Sequence, residues 1–184
     1  VSNAVIMAVH FDEETCTLTR QSDYMYLDFG LDFYAPQTFI DEYKNRVMLG
    51  WMRMREPGQG ENWVGMFTYP RVLTQKEGHV YQNVHPYIQD YFNTNKEFID
   101  FQQPFLLQVS MNKESYLDLG GLKLWIEDDA LHCSREDVSI QHEKVCQNCQ
   151  TPHLNEKYDL NIYYDHHIFE IYYQSIALFY LQQI

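Results

Sequence analysis

The sequence predicts an all-β protein, on three observations. Short segments of strand composition recur along the chain, separated by polar, glycine or proline turn residues. That spacing belongs to a propeller, sandwich or barrel rather than to an α/β fold. Aromatic residues make up 16% of the chain, led by 15 Tyr and 11 Phe, and such side chains favour strands and suit flat apolar ligands such as sugar faces. The best helical candidate, residues 88–98, does not hold one clean 3.6-residue apolar stripe.

In chain order, residues 5–9 read as a strand and Asp12-Glu13-Glu14 as a turn before a second strand at 16–19. The run Asp28-Phe29-Gly30-Leu31-Asp32-Phe33-Tyr34-Ala35-Pro36-Gln37-Thr38-Phe39 is denser in acids and aromatics than a core strand requires. Pro36 fixes its own φ, biases Ala35 towards extended geometry and removes a ladder donor. The run therefore reads as a strand leaving a sheet at an exposed rim, where side chains face a ligand. Strand-like segments follow at 39–40, 47–51, 63–68 and 79–81, with a loop at Pro57 and Gly58-Gln59-Gly60. A boundary falls near residues 86–95. Beyond it, segments at 105–109, 116–119, 122–126, 130–133, 160–164 and 169–173 read as an antiparallel sandwich. Their turns are Gly120-Gly121, Glu127-Asp128-Asp129 and Asp165-His166-His167.

Composition excludes some partners. The net charge of −13 leaves no basic stripe to neutralise phosphates, which argues against nucleic acid and anionic membranes. No apolar run approaches the ~18 residues that a membrane-spanning helix needs. Residues 1–9 lack the basic start of a secretory signal, which favours the cytoplasm, although a mature secreted chain would show the same. Cys133, Cys146 and Cys149, with His153, raise a zinc-holding alternative. Their spacing is not that of a common finger, and free thiols in a polar connection are the ordinary reading. Adjacent strand residues face opposite sides, so His166-His167 reads as a turn pair rather than a metal site.

Three motifs occur in order: Asp32-Phe33-Tyr34-Ala35-Pro36-Gln37-Thr38-Phe39, then Gly50-Trp51-Met52, then Pro70-Arg71-Val72-Leu73. Together they resemble glycoside hydrolase family 32, the invertases and sucrose-6-phosphate hydrolases. Tyr164-Asp165-His166-His167-Ile168-Phe169-Glu170-Ile171 resembles the family's penultimate sandwich hairpin more loosely. The family fold is a five-bladed β-propeller followed by a β-sandwich, in a longer chain. The resemblance thus implies that residues 1–85 form the last part of the propeller and residues 86–184 the C-terminal β-sandwich. It implies the C-terminal portion of a retaining β-fructofuranosidase acting without a cofactor on a fructoside sugar: sucrose, sucrose 6-phosphate or a fructan.

By the same resemblance, Tyr34 and Trp51 line the subsite for the fructosyl ring, against the alternative that both are core aromatics. Asp32 and Gln37 are secondary contacts that orient Tyr34 or meet a hydroxyl. Trp63 reads as a blade aromatic and Arg71 as a solvent-rim charge. The family's acidic motifs (Trp-Met-Asn-Asp-Pro-Asn-Gly, Arg-Asp-Pro and Glu-Cys) do not occur in the sequence, so it offers no catalytic residue. Arg135-Glu136-Asp137 lacks the proline, and Glu14-Thr15-Cys16 is not Glu-Cys. Retaining hydrolysis needs a carboxylate nucleophile and an acid/base roughly 5 Å apart, so the chain alone is expected to be inactive. The alternatives are a non-catalytic carbohydrate-binding relative and a zinc-holding interaction module. A partial propeller would expose strand edges, from which follows an expectation of self-association or of pairing with the missing blades.

Overall fold

The computed structural model describes residues 4–54, 57, 60–92, 99–136, 148–151 and 157–173, and the backbone of 176–181. The first half holds β1 (Val5–Ile6), β2 (Val9–Asp12), β3 (Thr17–Arg20), β4 (Met25–Tyr26), β5 (Phe33–Ile40), β6 (Arg46–Met52), β7 (Met66–Phe67), β8 (Arg71–Lys76) and β9 (His79–Val84). A short helix, α1 (Pro86–Phe92), follows. The second half holds β10 (Phe105–Asn112), β11 (Tyr116–Asp118), β12 (Lys123–Glu127), β13 (Ala130–Ser134), β14 (Asn148–Gln150), β15 (Lys157–Asp165), β16 (Ile168–Tyr173) and β17 (Ile176–Leu181). The protein is therefore nearly all β.

Two local expectations are corrected. The single strand expected at 5–9 is two, because β1 pairs with β4 while β2 forms its own hairpin with β3. The segment at the expected boundary is helical from Pro86. Proline suits a first helical turn, where its missing N–H has no intrahelical partner to lose. The His85 carbonyl accepts hydrogen bonds from the amides of Ile88 (2.9 Å) and Gln89 (3.1 Å).

The N-terminal half is organised by a sheet of order β5-β6-β8-β9, with β7 added beside the end of β6. The second half forms two four-stranded sheets, β10-β15-β16-β17 and β11-β12-β13-β14. Leu124, Ile126 and Leu131 from one sheet share a core with Phe105, Leu160, Ile162, Phe169 and Ile171 from the other. This is a β-sandwich, and its hairpins follow turn chemistry. Asp128 and Asp129 (φ 49° and 56°), like His166 and His167 (φ 43° and 70°), are left-handed pairs in two-residue turns. That geometry matches the twist of the flanking strands.

Strand β16 is buried at every residue, so it shows none of the alternation of a one-sided strand. Phe169, Ile171 and Tyr173 fill the sandwich core. On the opposite face, Ile168 meets Met52 and Met54, and Tyr172 joins Val84, Phe92 and Tyr163. The sandwich thus packs directly on the N-terminal sheet.

Charge crosses that contact. Arg71, fully buried on β8, donates from Nη1 to Asp28 Oδ2 at 2.8 Å and from Nη2 to Glu170 Oε2 at 3.2 Å. Glu170 also accepts from the Tyr69 amide at 2.5 Å and the Tyr172 hydroxyl at 2.7 Å, while Asp28 accepts from the Gly30 amide at 2.7 Å. The expectation of Arg71 as a solvent-rim charge is overturned: its motif position lies between two layers. A second link joins Arg135, just past β13, to Asp32 through Nη1–Oδ2 (2.5 Å) and Nη2–Oδ1 (3.1 Å).

Burial pushes the Asp28 carboxyl up to about 6, against the opposing pull of Arg71. An unfolded carboxylate releases its proton near 3.8, so between those values the folded state holds the extra proton. Stability from this group therefore falls as pH rises through that window. Urea midpoints measured at about pH 4.5 and about pH 7 should show a smaller fall for Asp28→Asn than for the unmodified chain. Equal pH slopes would contradict the assignment.

Candidate functional site

Strand β5 begins with Phe33 inward and Tyr34 outward, as the two-residue period requires. Phe33 is buried, and its ring fills the space above Gly50, where an added Cβ would lie 2.1 Å from Phe33 Cε2. Tyr34 pairs across the ladder with Trp51, and Trp51 with Phe67 on β7. Three aromatics therefore stand in a row on one face, with Tyr34 and Trp51 each 41% exposed and Phe67 68%. The rings of Tyr34 and Trp51 meet edge to face at 6.2 Å, and the Arg53 guanidinium lies 4.9 Å from the Tyr34 centroid. Neither Tyr34 nor Trp51 is therefore buried in the core of this chain.

The backbone sets this row. The pairing shifts between Tyr34 and Gln37, where three steps on β5 oppose two on β6. Ala35 absorbs the extra residue in a left-handed conformation (φ 44°), not the extended one expected before proline. Pro36 has no N–H to lose from the ladder, so the bulge costs no hydrogen bond at that residue. Tyr34 faces Trp51 and Gln37 faces Leu49, so the bulge returns exposed Gln37 to the Tyr34 face. At the other end, Thr68 ties β7 to β6. Its amide donates to the Gly50 carbonyl (2.9 Å), and its hydroxyl accepts from the Gly50 amide (3.0 Å).

Gly65 has φ +83°, and a Cβ there would lie 2.3 Å from Trp51 Nε1. The indole thus rests against bare backbone. Trp63 is half-buried and packs on Met52, Met54 and Ile168, a structural position.

Asp32 is not at this face. It is 3% exposed, and both its oxygens are engaged by Arg135, so a role in meeting a sugar hydroxyl is replaced by one in the contact between layers. Phe67 and Arg53 were not singled out from the sequence. Phe67 could have been, since it lies in the strand expected at 63–68, just before the Pro70-Arg71 motif. For the zinc alternative, Cys133 and Cys149 are direct cross-strand partners, whereas Cys146 and His153 lie outside the described residues. Among the described residues no cluster of three metal-ligating side chains occurs.

The chemistry open to this face is stacking on a flat apolar surface with polar groups at its edge. Aromatic faces and edges cover the C–H surface of a ring, while Gln37 and Arg53 offer hydrogen-bond donors. Asp28 and Glu170 come close through Arg71, but both are buried to 1% exposure and closed to a substrate.

Comparison with known proteins agrees with the motifs. Residues 1–84 match the glycosyl hydrolases family 32 N-terminal domain. The chain is 28% identical over 191 residues to a sucrose-6-phosphate hydrolase of Vibrio alginolyticus, covering 93% of this chain and 38% of that protein. It is 44% identical over 75 residues to the Staphylococcus xylosus sucrose-6-phosphate hydrolase, covering 39% of this chain and 15% of that protein. Its fold is shared with the sucrose-6-phosphate hydrolase of Lactobacillus gasseri (TM-score 0.70, 18% identity, 95% of this chain and 41% of that one). The Bombyx mori family 32 β-fructofuranosidase also shares it (TM-score 0.69, 18% identity, 98% and 42%). The chain is thus similar to glycoside hydrolase family 32 in its motifs, in the match over residues 1–84 and in its fold. It spans about two fifths of the length of the Vibrio relative and of these two structures.

Gly65→Ala should displace the Trp51 indole and force a Cβ into a left-handed backbone, at a cost of about 1–2 kcal/mol. A lower melting temperature with altered tryptophan emission is the expected result. An unchanged emission spectrum would show that Gly65 does not support the indole.

Proposed function

We propose that this chain contributes the closing section of a retaining β-fructofuranosidase whose substrate is sucrose or sucrose 6-phosphate. In this reading residues 1–85, with the β5-β6-β8-β9 sheet, are the last part of a five-bladed propeller, and residues 86–184 form the bracing sandwich. The observation that carries the proposal is the exposed Tyr34–Trp51 pair, held by a proline bulge at one end and a bare glycine at the other. A wall of that kind can hold a fructosyl ring by its apolar face while its hydroxyls bond elsewhere.

The wall is not itself catalytic. Retaining cleavage needs one carboxylate to attack the anomeric carbon and another to protonate the leaving oxygen, about 5 Å apart. Asp28 and Asp32, the acids closest in sequence to Tyr34, are buried and committed to Arg71 and Arg135. In this reading the acidic pair is supplied from outside these 184 residues, and the step needs only carboxylates and water. A non-catalytic carbohydrate-binding role is the second reading, favoured by an exposed wall near which the acids closest in sequence, Asp28 and Asp32, are buried.

Two experiments test the proposal. The chain alone should release no glucose or fructose from sucrose above a blank. Joined to the coding sequence upstream of it, it should hydrolyse sucrose, and Trp51→Ala should then lower kcat/KM by about tenfold to a hundredfold. Hydrolysis by the chain alone contradicts the absence of the acids, and an unchanged kcat/KM returns Trp51 to a packing role.

In this reading the rest of the propeller would also cover apolar surface. Phe11, Leu18, Phe39 and Ile40 are each about half exposed or more, and β5 pairs on one side only among the described strands. Open edges beside apolar side chains favour pairing with another chain. Light scattering should show self-association that grows with concentration and is relieved by deleting residues 1–85. A monomer at every concentration would contradict it.

A further inference from the structure

The outer face of the sandwich carries a second aromatic row that the hydrolase reading does not use. In the β11-β12-β13-β14 sheet, Tyr116 pairs with Trp125, Trp125 with His132 and His132 with Gln150. Leu124, Ile126, Leu131 and Cys133 alternate with them and fill the core, so the row faces away from it. Trp125 and His132 are half-buried and Tyr116 is 59% exposed. The indole and imidazole stack at 5.3 Å with 18° between planes.

Both rings are held from one residue. Trp125 Nε1 donates to Glu127 Oε2 at 3.2 Å, and His132 Nε2 lies 3.1 Å from the Glu127 carbonyl. Their orientation is therefore set before any ligand arrives, which lowers the ordering cost of binding. Beside them opens a cavity of about 530 Å3, lined by Trp125, His132, Ser134, Glu136, Asn148 and Gln150, with Cys133 and Cys149. That volume falls within the roughly 300–1,000 Å3 of small-molecule sites. The polar rim is also arranged: Asn148 Nδ2 donates to Glu136 Oε1 at 2.5 Å, and the Glu136 amide donates to Ser134 Oγ at 3.2 Å.

We infer that this cleft is a binding site for a neutral saccharide, with the Trp125–His132 stack as its platform and Glu136, Asn148 and Gln150 as its hydroxyl-reading rim. Aromatic surface next to amide and carboxylate groups matches a sugar ring, which is apolar on its C–H face and polar at its edge. Among the described residues the lining carries a carboxylate and neither arginine nor lysine, which disfavours a phosphorylated sugar. The bland alternative is that the stack only stabilises the sheet as a cross-strand pair. The inference stands apart from the hydrolase proposal, since failure of the joined protein to cleave sucrose would leave it intact.

The test uses the full chain, with nystose and maltotetraose as neutral probes and fructose 6-phosphate as the charged one. Indole resonances followed by NMR should show Trp125 shifting on titration with a neutral oligosaccharide. Trp125→Ala should weaken that binding at least about tenfold, the loss of roughly one stacking contact. Trp51→Ala should leave the Trp125 shift in place. Trp125→Phe and His132→Ala, checked for folding by circular dichroism, guard against a misfolded variant, and binding should be kept by the first and weakened by the second. No shift at Trp125 with either neutral probe, equal binding after Trp125→Ala, or preference for fructose 6-phosphate would overturn the inference.

Discussion

The Arg71 guanidinium is the interaction on which the rest of the structure depends. It sits at zero exposure between Asp28, just upstream of β5, and Glu170 on β16. Removing such charges from water costs several kcal/mol per ion, recovered only through close, well-bonded geometry. Here the guanidinium has two carboxylates, and its face lies 4.8 Å from the Phe33 centroid. Arg135 and Asp32 repeat the arrangement one step along the chain. Both acids flank the start of β5, so the strand that presents Tyr34 is held at its root by residues from β8, the sandwich and the segment after β13. The same contact explains why β16 is apolar on both faces apart from Glu170.

Much of this was legible in the sequence because it is local. The strands around 33–40 and 46–52, the Gly120-Gly121 and Asp128-Asp129 turns and the His166-His167 pair all follow from residue type and spacing. Pro36 marked an irregularity but not its form, since Ala35 takes a left-handed turn instead of extended geometry. The ion pairs were not legible. Asp32 and Arg135 are 103 residues apart and Arg71 and Glu170 are 99 apart, and neither sequence window carries a signal of its partner. An acid among aromatics looks the same whether it faces a sugar or a buried arginine. For that reason sequence alone suggests that Asp32 orients Tyr34 or meets a hydroxyl and that Arg71 is a rim charge.

The two aromatic rows show how one principle serves both halves of the protein. Each is a ladder of cross-strand partners on the outward face, backed by alternating apolar residues on the inward face. Glycine and a proline bulge shape the first, and a single glutamate orients the rings of the second. In both, the outward rings sit on a rigid sheet, so changes at these residues need not disturb the core.

The central claim is that buried arginines make the N-terminal sheet and the sandwich one body. Trp51 and Trp63 report on the first and Trp125 on the second, so single-tryptophan variants can follow each half separately through urea unfolding. Coincident midpoints are expected for the otherwise unmodified chain, with the two curves separating when Arg71→Met leaves Glu170 buried without its guanidinium. Two well-separated transitions before Arg71 is changed would contradict the claim.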